Sequence, residues 1–564
     1  MQLAANVTSG DAVDWQAIDW KRVYRTVKNL RQRIFRASRQ GDLTRVRSLQ
    51  RLMLKSKANA LASVRRVTQV NRGKSTPGID QVVVTTPEER GALCAQLRAL
   101  DLHKVHPVRR VYIPKRNGQR PLGIPTIVDR CVQAMVKNAL EPFWEARFEG
   151  VSYGFRPGRG CHDAIEKVFR LARPDTTRPW VVDADIEGAF NNIGHAALVQ
   201  AIGHFPAREL IKQWLKAGYV EAEMLHPTEA GVPQGGVISP LLLNVALHGM
   251  EQALGISYTP KGVRRGTYAL VRYADDLVIF SPTHEKAVEA QHLLSTWLGT
   301  RGLRLSGEKT HIRHLREGFN FLGFNIRHYP TPNSSRSGYK LLIKPSPDSV
   351  MQIKRKLKGL WRKHVGSPAV ALIHEMNPLI RGWSTYFRTG VAKEVFAALD
   401  SFMYRRAQRY MQRRHPRKSG WWRTQKYWGR VSGRQDRWVF QDKERHGTLR
   451  KFAWTKIIRH RLVPSTYAPD DPTLQDYWSQ RRQRTQVTTG RAEQLARRQH
   501  GLCPGCHQAL DNGEEVHVHH VRPTRHGGTE DLTNLRLVHH NCHRQIHSIS
   551  APLGVRRLLE PCTR

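Results

Sequence analysis

Residues 267–281 read Thr-Tyr-Ala-Leu-Val-Arg-Tyr-Ala-Asp-Asp-Leu-Val-Ile-Phe-Ser. Two short runs of β-branched and bulky residues, Thr267 to Arg272 and Leu277 to Phe280, flank the tetrad Tyr273-Ala274-Asp275-Asp276. This pattern predicts strand, tight turn, strand, with two adjacent carboxylates presented at the turn. Like charges side by side are costly unless a cation sits on them. A pair of Mg²⁺ ions roughly 3.5–4 Å apart is the arrangement that phosphoryl-transfer centres use for this purpose. A bare Asp-Asp also suits an ordinary solvated turn, so the remaining chain must supply a third carboxylate and a reason for nucleic-acid chemistry.

Trp180 to Ile193, WVVDADIEGAFNNI, reads as a buried strand that ends in carboxylates and turns into a helix. Asp185 is the expected third ligand, and Asp183, two residues earlier on the same strand face, is its rival. Upstream, Arg109 to Asp129 predicts a hairpin that turns at Asn117-Gly118. Lys115, Arg116 and Arg120 cluster about it, positioned to grip a triphosphate. Gly154 to Gly160 reads as a rigid loop presenting Arg156 and Arg159 to a backbone phosphate. Downstream, Gly231 to Pro240 places two glycines for close approach to a base pair, with Ser239-Pro240 capping a helix over Leu241 to Met250. Further on come a helix over His284 to Leu298, then Lys309 and Phe321-Leu322-Gly323-Phe324.

The chain has 564 residues, room for three or four domains. Its 92 Lys and Arg against 46 Asp and Glu leave a formal charge of +46, which implies a polyanionic partner. No apolar run reaches the ~18 residues of a membrane span. The first residues lack the basic start and apolar segment of a signal peptide, so no membrane partner is expected. The seven cysteines include three closely spaced near the C-terminus, which predicts a metal site in a reducing compartment. Residues 12–70 predict two or three helices with a basic face, their apolar side carried by Trp20, Val23, Val27, Leu30, Ile34, Leu49, Leu52 and Leu54. Between Met351 and Pro464 stand 28 Lys and Arg against 6 Asp and Glu, with 7 of the 14 Trp. Charge for phosphates and flat rings for unstacked bases suit structured RNA. A helical bundle with a tryptophan core and a basic exterior satisfies the same composition.

In the C-terminal part, Cys503, Cys506, His539 and Cys542 have the two-pair spacing of a structural zinc site. His519 and His520 are neighbours on a strand and face opposite ways, whereas His543 and His547 share a helix face. His519, His543 and His547 can therefore meet on one divalent metal while His520 activates water. The set resembles the HNH, or ββα-metal, nucleases, in which Asn534 would orient the general base.

The ordered blocks Pro-Lys-Arg-Asn-Gly, Gly-Phe-Arg-Pro-Gly-Arg, Asp-Ile-x-x-x-Phe, Pro-Gln-Gly-Gly-x-Ile-Ser-Pro, Tyr-Ala-Asp-Asp and Phe-Leu-Gly-Phe resemble a group II intron-encoded reverse transcriptase. Asn377 to Trp383, with Tyr386-Phe387 and Arg413 to Pro416, is similar to the maturase domain of that family. The resemblance implies an α+β multidomain chain. Residues 1–80 would be an N-terminal extension touching RNA and template, and 81–335 the fingers and palm of a right-hand polymerase. Residues 340–432 would be an α-helical thumb or maturase domain, 433–486 a basic DNA-binding linker, and 487–564 the HNH nuclease with its zinc. It implies Asp185, Asp275 and Asp276 as ligands of two Mg²⁺, and Lys115 and Arg120 on the triphosphate. Phe190 would sit beneath the sugar, excluding a 2′-OH, and Gln234 beside the templating pair. Glu187 and Asn191 stand where Lys and Asp are common in the family. The expected partners are intron RNA, target DNA and dNTPs, in a bacterial-type cytoplasm or an organelle. The expected activities are RNA-directed DNA synthesis, assistance to splicing, and nicking of DNA to prime synthesis. An RNA-binding splicing cofactor with a dispensable polymerase, and a domesticated bacterial reverse transcriptase, are the alternatives; loss of cDNA but not splicing in Asp275→Ala, and a flanking intron, distinguish them.

Overall fold

A computed structural model describes residues 13–97, 103–115, 118–331, 338–485 and 490–549, without the side chains of Lys115, residues 483–485 and Ile549. Arg116 and Asn117 lie outside the described residues. The chain opens with helices Trp20–Arg39, Leu43–Lys55 and Lys57–Arg65 packed on Ile127–Glu145. Asp19 and Asp42 cap the first two by accepting from Arg22 N and Arg45 N. Their apolar stripe is the expected one except at Leu52, which is half exposed while its neighbour Met53 is buried, because the helical turn brings position 53 rather than 52 onto the inner face.

Val108–Lys115 and Gly118–Ile124 form the expected antiparallel hairpin, with Lys115 opposite Gly118. The central sheet has the strand order His311–His314, Trp180–Asp185, Asp276–Ser281, Ala269–Tyr273, antiparallel throughout. Both its faces are covered. Val182, Ala184, Leu277 and Ile279 point into one core, and Val181, Val278 and Phe280 into another. That two-sided burial is why these strands read as continuous apolar runs rather than alternating ones.

Helix Ser239–Ala246 is shorter than expected. Ser239 does not cap it: the serine is the first helical residue, and its hydroxyl donates to Pro233 O at 2.7 Å, tying down the preceding loop. The glycines there serve protein packing. Gly235 has φ +119°, and a Cβ on it would lie 2.4 Å from Gly123 O of the hairpin.

Helices Pro347–Lys363, Ala369–Phe387, Lys393–Arg414 and Gly420–Tyr427 follow. Their core holds Trp361 and Tyr410, and a three-stranded sheet of Trp428–Gly429, Val439–Asp442 and Gly447–Thr448 closes it. The segment beyond returns to the N-terminal half of the chain. Asp163 accepts from Val463 N at 2.9 Å and pairs with His460 and Arg481, while Asp470 pairs with Arg31 at 2.7 Å. The C-terminal part has antiparallel strands Val516–His520 and Leu535–His539 followed by helix His540–Ile549, a ββα unit. Among the described residues, no helix is long and apolar enough to cross a membrane.

Candidate catalytic and metal-binding sites

Asp185 ends its strand directly opposite Asp276, and Asp276 is also opposite Tyr273 across the hairpin. Asp275 occupies the turn, and its carbonyl accepts from Ile186 N at 3.3 Å. Three carboxylates from two separate segments thus share one rim. The Asp276 carboxyl is pushed up to about 7 by burial and by the charges of Asp275 and Asp185, and burial raises Asp275 as well. A protein cation already sits at the cluster: Lys309 Nζ lies 2.5 Å from Asp185 Oδ2. Asp183 shares the face of Asp185 but lies further in, opposite His311, where burial pushes its carboxyl up to about 7.

The hairpin delivers Arg120 to this rim. Its Nε donates to Gln234 Oε1 at 2.9 Å, and its charge favours the ionised form of Asp275. Gln234 Nε2 reaches Asn191 Oδ1 at 3.5 Å. Phe190, buried edge-to-face against Phe155, joins Asn191, Gln234, Pro121 and Gly123 around a cavity of about 250 Å³. Arg120, Phe190 and Gln234 therefore come together; the backbone of Lys115 ends the same hairpin, and its side chain lies outside the described residues.

The turn itself is held by Arg272, Gly154 and Asn244, whose part in it the sequence does not show. Ala274 has φ +58°, a left-handed conformation that few non-glycine residues adopt. Buried Arg272 donates to Ala274 O and to Asn244 Oδ1, both at 3.1 Å, and Asn244 Nδ2 donates to Gly154 O at 2.9 Å. Gly154 packs so closely that a Cβ there would lie 2.3 Å from Ala274 N. A charged residue inside an otherwise apolar strand is the signal that marks Arg272.

Arg156 and Arg159 do not face a phosphate. Arg156 forms a buried pair with Glu145 at 2.9 Å and donates to Glu149 O and Ser152 O. Arg159 donates to the carbonyls of Ser465 and Tyr467. Arg156 is spent on internal acceptors through all three nitrogens, whereas Arg159 bonds through Nη2 alone, its Nε and Nη1 being buried without a hydrogen-bond partner among the described residues.

In the C-terminal unit, the ligand atoms of Cys503, Cys506, His539 and Cys542, all buried, lie within 4.8 Å of one another, as do those of His519, His543 and His547. Cys506 Sγ is 3.4 Å from His539 Nδ1, and His543 Nε2 is 3.2 Å from His547 Nε2. Neighbouring ligands on a tetrahedral zinc lie about 3.3–3.8 Å apart, given its bond lengths. His539 Nε2 is held by Ala509 O at 3.0 Å, which leaves Nδ1 for a metal. Gly505 makes the knuckle possible: a Cβ there would lie 3.1 Å from that of Cys542. Burial and the neighbouring histidines hold His519 down to about 4, a neutral ligand-ready ring.

His520 faces away from that cluster, and its Nε2 lies 2.8 Å from Glu530 Oε1. Asn534 spends its side chain on the loop after His520. It accepts from Arg522 N at 2.8 Å and donates to Arg522 O and Thr529 O. Glu530 is the side chain in contact with His520, and the sequence reading missed it.

Helices Pro347–Lys363 and Lys393–Arg414 enclose a groove of about 150 Å³ lined by Lys358, Arg362, Arg406, Arg409 and Arg413 over Trp361 and Tyr410. Trp421 and Trp438 are exposed, whereas Trp361 and Trp428 are core residues, so the two readings of this segment hold for different tryptophans.

Family models match four consecutive stretches. These are the N-terminal domain of reverse transcriptase over 15–97, reverse transcriptase (RNA-dependent DNA polymerase) over 113–326, the group II intron maturase-specific domain over 350–428, and HNH endonuclease over 502–548. The chain is 36% identical to protein YkfC of Escherichia coli over 316 residues, 49% of this chain and 83% of that protein. It is 33% identical to the group II intron-encoded protein LtrA of Lactococcus lactis over 422 residues, 59% of this chain and 69% of that protein. A Candida albicans telomerase structure aligns at TM-score 0.33 and 13% identity over 56% of this chain and 60% of that one, too low to carry an argument. With a carboxylate rim, a basic helical module and a ββα unit in that order, and with relatives at this identity, the chain belongs to the group II intron-encoded proteins, which join a reverse transcriptase and a maturase domain, here with an HNH endonuclease.

Proposed function

We propose that Asp185, Asp275 and Asp276 are the metal-holding carboxylates of the polymerase, in a right-hand arrangement. The central sheet is its palm, the hairpin Val108 to Ile124 belongs to its fingers, and helices Pro347–Lys363 to Gly420–Tyr427 form its thumb. The observation that carries this reading is the pairing of Asp185 with Asp276 beside Asp275 on one rim. The donor set fits divalent ions: crowded carboxylates that push one another's protonation up, with Lys309 as a monovalent stand-in. Two Mg²⁺ bound there supply activation of the primer 3′-OH and neutralisation of the leaving pyrophosphate. Arg120 and Lys115 grip the triphosphate, Gln234 sits beside the templating pair, and the Phe190 ring excludes a 2′-OH. Lys309, paired with Asp185 at 2.5 Å, would have to yield that oxygen to a bound ion.

Cys503, Cys506, His539 and Cys542 hold a structural zinc. His519, His543 and His547 would hold a divalent metal, which would supply Lewis-acid polarisation of the scissile phosphate. Glu530 holds His520 at Nε2, leaving Nδ1 to take the proton from the attacking water. Asn534 acts on His520 through the loop it staples. The nicked DNA strand then primes copying of the intron RNA, which the maturase module and its basic groove grip. Residues 433–486 contribute further contacts to DNA.

Asp276→Asn tests the assignment. It should abolish primer extension on an RNA template while nicking of target DNA persists; the loss of several kcal/mol of metal-derived stabilisation corresponds to about 10³-fold or more in rate. Primer extension at the wild-type rate would refute it.

A further inference from the structure

Arg65, the last residue of helix Lys57–Arg65, is 1% exposed. Its Cζ stacks 4.5 Å from the Trp20 ring, and its Nη2 donates to Cys542 Sγ at 3.0 Å. Its ion-pair partner among the described residues, Glu514, stands 4.0 Å away, and its Nε and Nη1 have no hydrogen-bond partner there. A guanidinium cannot shed its charge, and a buried charge without a counter-charge is strongly destabilising. Glu514 answers this charge only from 4.0 Å, and the nearest acceptor is the Cys542 sulfur at 3.0 Å.

A dication held by three thiolates and one neutral imidazole carries a net charge of −1, which Arg65 balances. The same arginine belongs to the N-terminal helices, far from the C-terminal unit in sequence. Around it the two parts share a seam. Gln545 Nε2 donates to Gln16 O at 2.8 Å and Ile18 O at 2.9 Å. A cavity of about 350 Å³ lies along that seam, lined by Trp15, Trp20, Arg65, His540 and Arg544 among others.

We propose that Arg65 is the counter-charge of the zinc–thiolate centre, so that metal retention by the nuclease unit and its seating on the N-terminal helices are one coupled event. The inference rests on the zinc assignment above. With metal bound, Arg65 donates to a sulfur of an anionic centre, with Glu514 as a second, more distant counter-charge at 4.0 Å. Without it the four ligands are no longer held together, Arg65 loses its nearest acceptor and keeps only Glu514 at 4.0 Å, and the seam loosens. Linkage makes the effect reciprocal: whatever metal contributes to docking, docking contributes to metal affinity.

The test uses the full-length protein as wild type, Arg65→Met and Arg65→Lys. One readout is the rate of zinc loss to a chromophoric chelator, and the other is amide hydrogen exchange in 20–30 before and after chelation. Arg65→Met should release zinc roughly 10–100-fold faster, the usual cost of removing an outer-shell partner of a metal ligand, and Arg65→Lys should fall between it and wild type. Chelation should raise exchange over 20–30 in wild type and add little in Arg65→Met. Wild-type zinc-loss rates in Arg65→Met, or exchange in wild type that ignores chelation, would overturn the coupling. Wild-type protein that binds no zinc at 503–542 would instead overturn the zinc assignment. Should Arg65→Met fail to fold, the chelation arm on wild type and the lysine variant decide the matter.

Discussion

His248 packs edge-to-face against Trp144 at 5.5 Å and Phe148 at 5.9 Å, with Arg272, Arg156, Arg147 and Arg301 nearby. Burial, then those arginines, hold its ring down to about 4 from the ordinary 6.5. Between these values the unfolded chain binds a proton that the folded chain refuses, so the unfolded state holds more protons and stability rises with pH. Acidification from about 6.5 to about 4 should therefore cost the fold up to about 3 kcal/mol at this one residue. Denaturant melts of wild type and His248→Gln over that range check it, the variant losing this part of the slope. The carboxylates show the same physics in reverse. Asp276 is raised by burial first and then by like charges, Asp275 beside it in sequence and Asp185 brought opposite it by strand pairing.

At the scale of elements, the hairpin bearing Tyr273 to Asp276 depends on what lies beneath it. Gly154 gives Ala274 its room, Arg272 holds the Ala274 carbonyl, and Asn244 links the two. In Gly154→Ala, a Cβ 2.3 Å from Ala274 N forces the turn to shift. Misplacing the carboxylates by such a shift should lower primer extension on the order of 10²-fold, with an overpacking cost of about 1–3 kcal/mol. DNA nicking, carried by an element outside this contact, should persist; primer-extension and nicking assays on one preparation separate the effects. A turn of this kind is legible as strand, turn, strand from residues 267–281 alone. Its supports are not, since Gly154 and Asn244 lie far from it in sequence and neither differs in type from a residue serving some other purpose.

Across the whole molecule, a charge of +46 asks where a polyanion sits. The groove of Lys358, Arg362, Arg406, Arg409 and Arg413 concentrates like charge enough that Arg406 is depressed, by partial burial first and then by Arg409, Arg362 and Arg413. Replacing Arg406, Arg409 and Arg413 with alanine should weaken intron-RNA binding. The slope of log affinity against log salt should become shallower by about 0.7–0.9 for each phosphate contact removed. Filter binding across a salt series checks this, and an unchanged slope would place the RNA elsewhere. The return of residues 460–481 to Asp163, and the seam at Arg65, show that segments read as successive domains are packed against one another.

Local chemistry in the sequence determined which groups this protein carries. The two-sided apolar strands, the paired Asp275 and Asp276, the Cys and His spacings and the basic excess each follow from neighbours a few residues apart, so periodicity and spacing expose them. Tertiary structure alone decided which charges face inward. Arg156 and Arg159 look like Arg120 in sequence, yet two are turned onto Glu145 and backbone carbonyls while the third reaches the carboxylate rim. It also brought Glu530 to His520 and Arg65 to Cys542, because the partner that makes a buried or poised charge tolerable is chosen by long-range packing and leaves no mark on adjacent residues.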